Sequence, residues 1–262
     1  MRTPSLAFLL VIIVTLLPGA TAHAAQDADP IVHAEALTRN PLYKSGPLPG
    51  TPCAEPPVKA GDVASVRGYL TPLVKCLDQA WAAQFAKERL PFEKPAVRFI
   101  TRPEKICGDA WGEHVQAIYC SSTRQIVVML DKSVVDRPED LFLMDVIAHE
   151  YGHHVQNMAG IWRAYDRLPS DDDAESYEQT RRHELQAECL AGAFIGSVWP
   201  SLRRTAEDWE TLLDDDRESG DETGEARTHG KGRNMADWLD RGYRAAGPAG
   251  CNTWSASAAA VA

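Results

Sequence analysis

The run His149-Glu150-Tyr151-Gly152-His153-His154 brings together residue types that can do metal chemistry. It contains H-E-x-x-H, two histidines four positions apart with a glutamate directly after the first. On an α-helix, residues i and i+4 stack on one face, so His149 and His153 can grip one metal ion together. Glu150 then lies beside that ion, placed to take a proton from an attacking water. The chemistry to expect is zinc-assisted peptide hydrolysis. The plainer alternative is a buried helix whose histidines hydrogen-bond to their neighbours.

A mostly apolar run from Leu141 to Ala148 precedes the motif, as a buried helix requires. The pattern predicts a helix from about Pro138 to about Met158, with Asp136 as its cap and Pro138 and Glu139 in its first turn. Two histidines leave a catalytic zinc one protein ligand short. No third histidine follows at metzincin spacing, since Gln156, Asn157, Met158 and Ala159 stand there. Arg182 to Cys189 offers carboxylates instead. Glu184 and Glu188 share one helical face, flanked by Leu185, Ala187, Leu190 and Ala191. Acids turned toward a core are costly unless a metal or hydrogen bonds compensate them. Glu184 is therefore assigned to zinc, and Glu188 to the outer imidazole nitrogen of a ligand histidine, His149 being favoured. A solvated acidic stripe is the alternative.

The elements around these two helices follow from periodicity and turn residues. Residues 25–58 are rich in Pro, Gly and Ala and read as a flexible or wrapping extension, with a zinc metallopeptidase domain over 59–262. Gly61 to about Lys87 is predicted helical, with Pro72 a point where it could kink or split. Ala96–Ile100 reads as a strand, and Gln116–Cys120 and Gln125–Leu130 as a hairpin or adjacent strands around a polar turn. A second long helix is expected from Asp173 to Val198, with Asp171, Asp172, Asp173 and Glu175 at its positive end. Asp214 to Glu225 reads as a solvated acidic loop. A calcium site there is the alternative, although the spacing fits no EF-hand loop. Asn234–Tyr243 reads as a short amphipathic helix. No internal repeat is apparent.

Composition and targeting set the compartment. Residues 1–24 read as a secretory signal peptide, with an apolar core from Leu6 to Leu17 and a small-x-small site at Ala22-His23-Ala24. An uncleaved membrane anchor is the alternative. Removing that segment from the 262-residue chain leaves about 238 residues with 26 basic and 37 acidic side chains. Such an acidic surface argues against nucleic acid or anionic membranes as partners. No oligomeric state is legible. Six cysteines behind a signal peptide imply disulfides, for which the nearest-neighbour set Cys53–Cys76, Cys107–Cys120 and Cys189–Cys251 is preferred. A thiolate zinc site has no C-x-x-C pair to support it, although a free Cys53 could in principle reach zinc.

HEYGHHVQ (149–156) followed by RRHELQAECLAG (181–192) resembles the bacterial "putative neutral zinc metallopeptidase" family, a gluzincin-like group. NPLY (40–43), CGDAW (107–111), QAIYC (116–120) and THGKGRNMADWLDRGYRAAGPAGC (228–251) add to the resemblance, in order along most of the mature chain. It implies His149, His153 and Glu184 as zinc ligands and Glu150 as general base. The family usually carries Asp where this chain has Glu188. The resemblance implies an α+β, zincin-like fold: a small twisted sheet on the metal helix, with the Glu184 helix beside it. His229, in a Gly-flanked loop of a matched segment, is the candidate donor to the oxyanion, with Tyr151 and Arg233 behind it. The strand Gln116–Tyr119 resembles the gluzincin edge strand that holds substrate backbone. His154 and His183 read as structural or surface groups, and His33 and His114 carry no functional argument. The expected activity is a secreted zinc endopeptidase. A silent zinc-binding domain that recruits a partner, and a zinc hydrolase of a cell-envelope amide, are the competing expectations.

Overall fold

The computed structural model describes residue 31 and residues 34–137, 141–222 and 227–262. The signal peptide, His33, Pro138 and Glu139 lie outside the described residues.

The elements run α1 (Glu35–Thr38), α2 (Val63–Lys87), β1 (Ala96–Ile100), β2 (Lys105–Ile106), β3 (Asp109–Ala110), β4 (Ala117–Cys120) and β5 (Gln125–Met129). They continue through α3 (Lys132–Val135), α4 (Phe142–Met158), α5 (Ile161–Tyr165), α6 (Asp173–Val198), α7 (Ala206–Glu218) and α8 (Gly232–Ala245). This is an α+β fold with a small sheet on the helix that carries H-E-x-x-H. The main sheet has the order β1-β5-β4, with β5 parallel to β1 and antiparallel to β4. Ile126 and Val128 of β5 face the main core with α2 and α4, while Val127 and Met129 face a smaller cluster with Ile100 and Ile106. That alternation is the two-residue period of a strand buried on both faces. β4 is left as an edge strand.

The two long helices α2 and α6 form as the patterns predict. Asp62 caps α2, accepting from Ala64 and Ser65, and Pro72 sits inside α2 without ending it. Asp172 caps α6, accepting from the Glu175 N–H at 2.9 Å, so the acids cluster where the helix dipole is positive. Residues before α2 wrap onto the body: Leu42 and Cys53 are fully buried in the main core.

Two local expectations need correction. Asp136 does not cap the metal helix. It closes α3, where its N–H donates to the Lys132 carbonyl and its carboxylate pairs with the Lys132 ammonium. The metal helix instead starts at Phe142, with Leu141 at the cap and no side-chain bond. The segment from Asp214 is not simply a loop either. Asp214–Glu218 completes α7, which opens on a capping box between Thr205 and Asp208 and buries Trp209, Leu212, Leu213 and Asp216. Its acids are spaced on a helix, so only some face water. Residues 223–225 of that segment lie outside the described residues.

All three cysteine pairs form as expected, with Cα–Cα distances of 5.7 Å for Cys53–Cys76, 5.5 Å for Cys107–Cys120 and 5.4 Å for Cys189–Cys251. The last ties the C-terminal segment to α6. Cys53 is thereby withdrawn from any metal role.

Two close helix contacts set the frame. At the α4–α6 crossing, a Cβ on Gly152 would lie 2.7 Å from the Ala187 carbonyl oxygen. At the α6–α8 contact, a Cβ on Gly242 would collide with the Cys189 carbonyl. Gly68, in contrast, sits on exposed helix with open space around it. Gly242→Ala is expected to destabilise the protein by about 2 kcal/mol or more through overpacking. Gly68→Ala should stabilise it by about 0.5–1 kcal/mol through helix propensity. Denaturant unfolding of both variants checks the contrast.

Candidate metal centre

α4 and α6 cross so that the faces carrying the histidines and the two glutamates meet. His149, His153 and Glu184 each present one donor atom, all within 4.8 Å of one another. The Glu184 Oε2 lies 3.0 Å from His153 Nε2 and 3.4 Å from His149 Nε2.

The opposite ring nitrogens are both held. His149 Nδ1 is 2.7 Å from the Glu188 Oε2. His153 Nδ1 is 2.9 Å from the Gln156 Oε1. The Gln156 amide is itself fixed, since its Nε2 donates to the His183 carbonyl at 2.7 Å and to the Gln186 Oε1 at 3.1 Å. With both Nδ1–H groups given to acceptors, each imidazole is free to present an Nε2 lone pair to a cation. Gln156 escaped the sequence reading because a glutamine three residues after a histidine is an unremarkable pattern. Only the buried α4–α6 interface gives it a partner.

The charges agree with a cation site. Burial alone would lower the His149 pKa, but the Glu184 and Glu188 carboxylates outweigh it and raise it well above the ordinary histidine value. His153 is likewise raised, with Glu184 overcoming burial. Burial would raise Glu184, but His153 and His149 hold it well below the usual carboxylate range. A divalent cation bound here would compete with protons for the same donor atoms. Two imidazoles and a carboxylate are a donor set suited to zinc, so the residues fit that ion.

Glu150 is buried beside the histidines, and burial raises its pKa toward the range of a working base. It lines a cleft of about 290 Å³ with His149, Gln116, Ala117, Phe142 and His229 among others. The edge strand β4 therefore borders the cleft. His229 enters from the loop before α8, with Nε2 3.7 Å from the Glu184 Oε2 and its side chain about half exposed at 52%. Its backbone N–H donates to Asp221 at 2.8 Å, and Thr228 Oγ1 sits 3.0 Å from its Nδ1. His114, which carried no expectation, also lines the cleft.

Other candidates are placed elsewhere. Tyr151 turns away from the cleft. It is fully buried, and its hydroxyl donates to the Asp78 Oδ1 at 2.8 Å, so it is no oxyanion donor. One residue off the H-E-x-x-H face, it necessarily points into the α2 side of the core. Arg233 lies on the exposed side of α8. His154 is buried and structural, with Nδ1 3.0 Å from the Tyr119 hydroxyl and Nε2 2.7 Å from the Glu93 carbonyl. Burial pushes its pKa down to about 4. His183 is buried and stacked on Tyr165, and burial followed by the nearby His153 pushes its pKa down to about 3.

Residues 64–254 match the family model described as "Putative neutral zinc metallopeptidase". The chain belongs to this family. A relative from Escherichia coli (strain K12), named "Uncharacterized protein YpfJ", is 29% identical over 211 residues, spanning 72% of this chain and 71% of the relative. "Uncharacterized protein Mb2605" of Mycobacterium bovis is 33% identical over 132 residues, or 43% of this chain and 44% of the relative. No solved structure matches the chain.

Because Tyr151 serves the core and not the cleft, Tyr151→Phe should cost about 1–3 kcal/mol of stability by leaving the buried Asp78 short of a donor. Zinc stoichiometry should stay unchanged. Denaturant unfolding and elemental analysis read the two quantities separately.

Proposed function

We propose that this member of the family is a secreted zinc-dependent endopeptidase. One observation carries the reading. Two imidazole Nε2 atoms and a carboxylate converge at one point, with both Nδ1 atoms anchored and a buried glutamate beside them in an open cleft. A purely structural zinc site has no use for Glu150 or for the opening.

His149, His153 and Glu184 would hold the zinc. When bound, zinc supplies Lewis acidity, acidifying water and polarising a carbonyl. The chain's own residues do the rest. Glu150 takes the proton of the attacking water as its oxygen adds to the peptide carbonyl carbon. It then returns that proton to the amine nitrogen as the C–N bond breaks, so a carboxylic acid and an amine leave. His229 donates from Nε2 to the oxygen that gains negative charge. The free edge of β4 offers backbone groups to an extended substrate chain, aligning the scissile bond with Glu150.

Secretion is supported by the three disulfides, which suit an oxidising, extracytoplasmic compartment. Among the described residues no helix is long and apolar enough to cross a membrane. The acidic balance of −10 favours a peptide or protein partner over nucleic acid.

The test is cleavage of a diverse peptide library by the zinc-loaded protein, with Glu150→Gln in parallel. Cleavage by the wild type alone is expected, and equal cleavage by both, or by neither, contradicts the reading. In the same assay His229→Ala should lower kcat by roughly 10²–10³-fold, the usual cost of an oxyanion donor, and a loss under about tenfold removes that role. Glu188→Gln should weaken zinc affinity by about 10–100-fold in a chelator competition, with the three ligands intact.

A further inference from the structure

A second group of potential ligands lies next to the first. Asp145, Glu188 and Asp216 each bring a carboxylate oxygen within 4.8 Å of the other two. They come from three elements: Asp145 from the first turn of α4, Glu188 from α6 and Asp216 from α7. All three residues are more than nine-tenths buried, with exposures of 9%, 5% and 7%. Asp145 Oδ1, Glu188 Oε1 and Asp216 Oδ2 have almost no solvent contact and, among the described residues, accept no hydrogen bond. Among the described residues, no Lys or Arg pairs with any of the three, and the one ion pair in the group is Glu188 with His149.

Three carboxylates buried together without donors are strongly unfavourable. The His149 imidazole on Glu188 offsets part of this, but among the described residues no donor reaches the orphan oxygens of Asp145 and Asp216. The α4 N-terminus beside Asp145 supplies only a partial positive charge. A cation bound among them would take one carboxylate oxygen from each and offset their mutual repulsion. The donor set is all oxygen and anionic, which suits a hard cation and not zinc or copper. Oxygens on a Ca²⁺ ion sit about 2.3–2.6 Å from it, so a pair across the ion is separated by up to about 5 Å, which accommodates this triangle. The group also lines the cleft, where water can complete the six to eight ligands that calcium takes.

We infer that Asp145, Glu188 and Asp216 form a calcium site beside the zinc ligands, with Glu188 spanning both. One Glu188 oxygen would hold His149 and the other the calcium ion. The site would fasten α7 to the α4–α6 pair. It depends on neither the peptidase activity nor occupancy by zinc.

The test is equilibrium dialysis of the full-length protein against radioactive Ca²⁺ up to 10 mM, together with zinc analysis and thermal melting. The wild type should retain one Ca²⁺ per chain, and its Tm should rise by about 5–10 °C at Ca²⁺ a hundredfold above Kd. Asp216→Asn and Asp145→Asn each remove a ligand oxygen charge with little change of shape. Both should lose the bound Ca²⁺ and the Tm rise, while zinc stays at the wild-type level. If the wild type binds no Ca²⁺, the proposal fails. If the variants keep Ca²⁺, the ion binds elsewhere and the assignment fails. A wild type indifferent to Ca²⁺ and an Asp216→Asn variant of higher Tm would mean that protons, not a cation, neutralise the group. Failure of peptide cleavage with calcium bound would count against the peptidase reading alone.

Discussion

The contact on which the site depends is the crossing of α4 and α6 at Gly152. A side chain there would press on the α6 backbone at Ala187, so only glycine lets the helices approach this closely. One and three residues along α4 from that glycine, the approach sets His153 against Glu184 and His149 against both Glu184 and Glu188. The i, i+4 spacing occurs on both helices, so two matching pairs meet face to face. The metal centre is thus a consequence of one tight helix packing. The α6–α8 contact and the Cys189–Cys251 bond then brace α6 from behind.

That packing also explains why so many polar groups can be buried near the site. Gln156, Gln186 and His183 lie within the α4–α6 interface, where the glutamines bond to each other, to backbone carbonyls and to a ligand imidazole. The glutamine bonds offset the cost of burying those amides and fix the ring of His153, while the His183 ring, whose nitrogens find no partner among the described residues, stacks on Tyr165. On the opposite face of α4, Tyr151 and His154 are satisfied by Asp78, Tyr119 and Glu93. α4 is therefore polar on two faces, and only the one toward α6 and the cleft combines converging donors with access.

Much of this was legible in the residues. H-E-x-x-H and E-x-x-x-E have helical spacings, and a shared face follows from the 3.6-residue period. That is why Glu184 and Glu188 lie where the spacing puts them. The strands and the disulfide set were readable for similar local reasons. What was not legible depended on tertiary contacts. Asp216 belongs to a segment whose charge looks solvated, and only the docking of α7 buries it. Gln156 matters because of residues 27 and 30 positions away. Asp136 has the right type for a cap, but a short helix ahead of the metal helix claims it. Tyr151 sits inside the motif, and its direction could have been read from the helix period, since position i+2 faces away from i and i+4.

His149, His153 and Glu184 are proposed to hold one zinc ion. Anomalous scattering at the zinc absorption edge, from crystals of the zinc-loaded protein, tests it most directly. One strong peak is expected about 2.0–2.2 Å from His149 Nε2, His153 Nε2 and a Glu184 oxygen, with Glu188 still on His149 Nδ1. A peak held by other residues, or crystals of zinc-treated protein with no peak between these three, would contradict it.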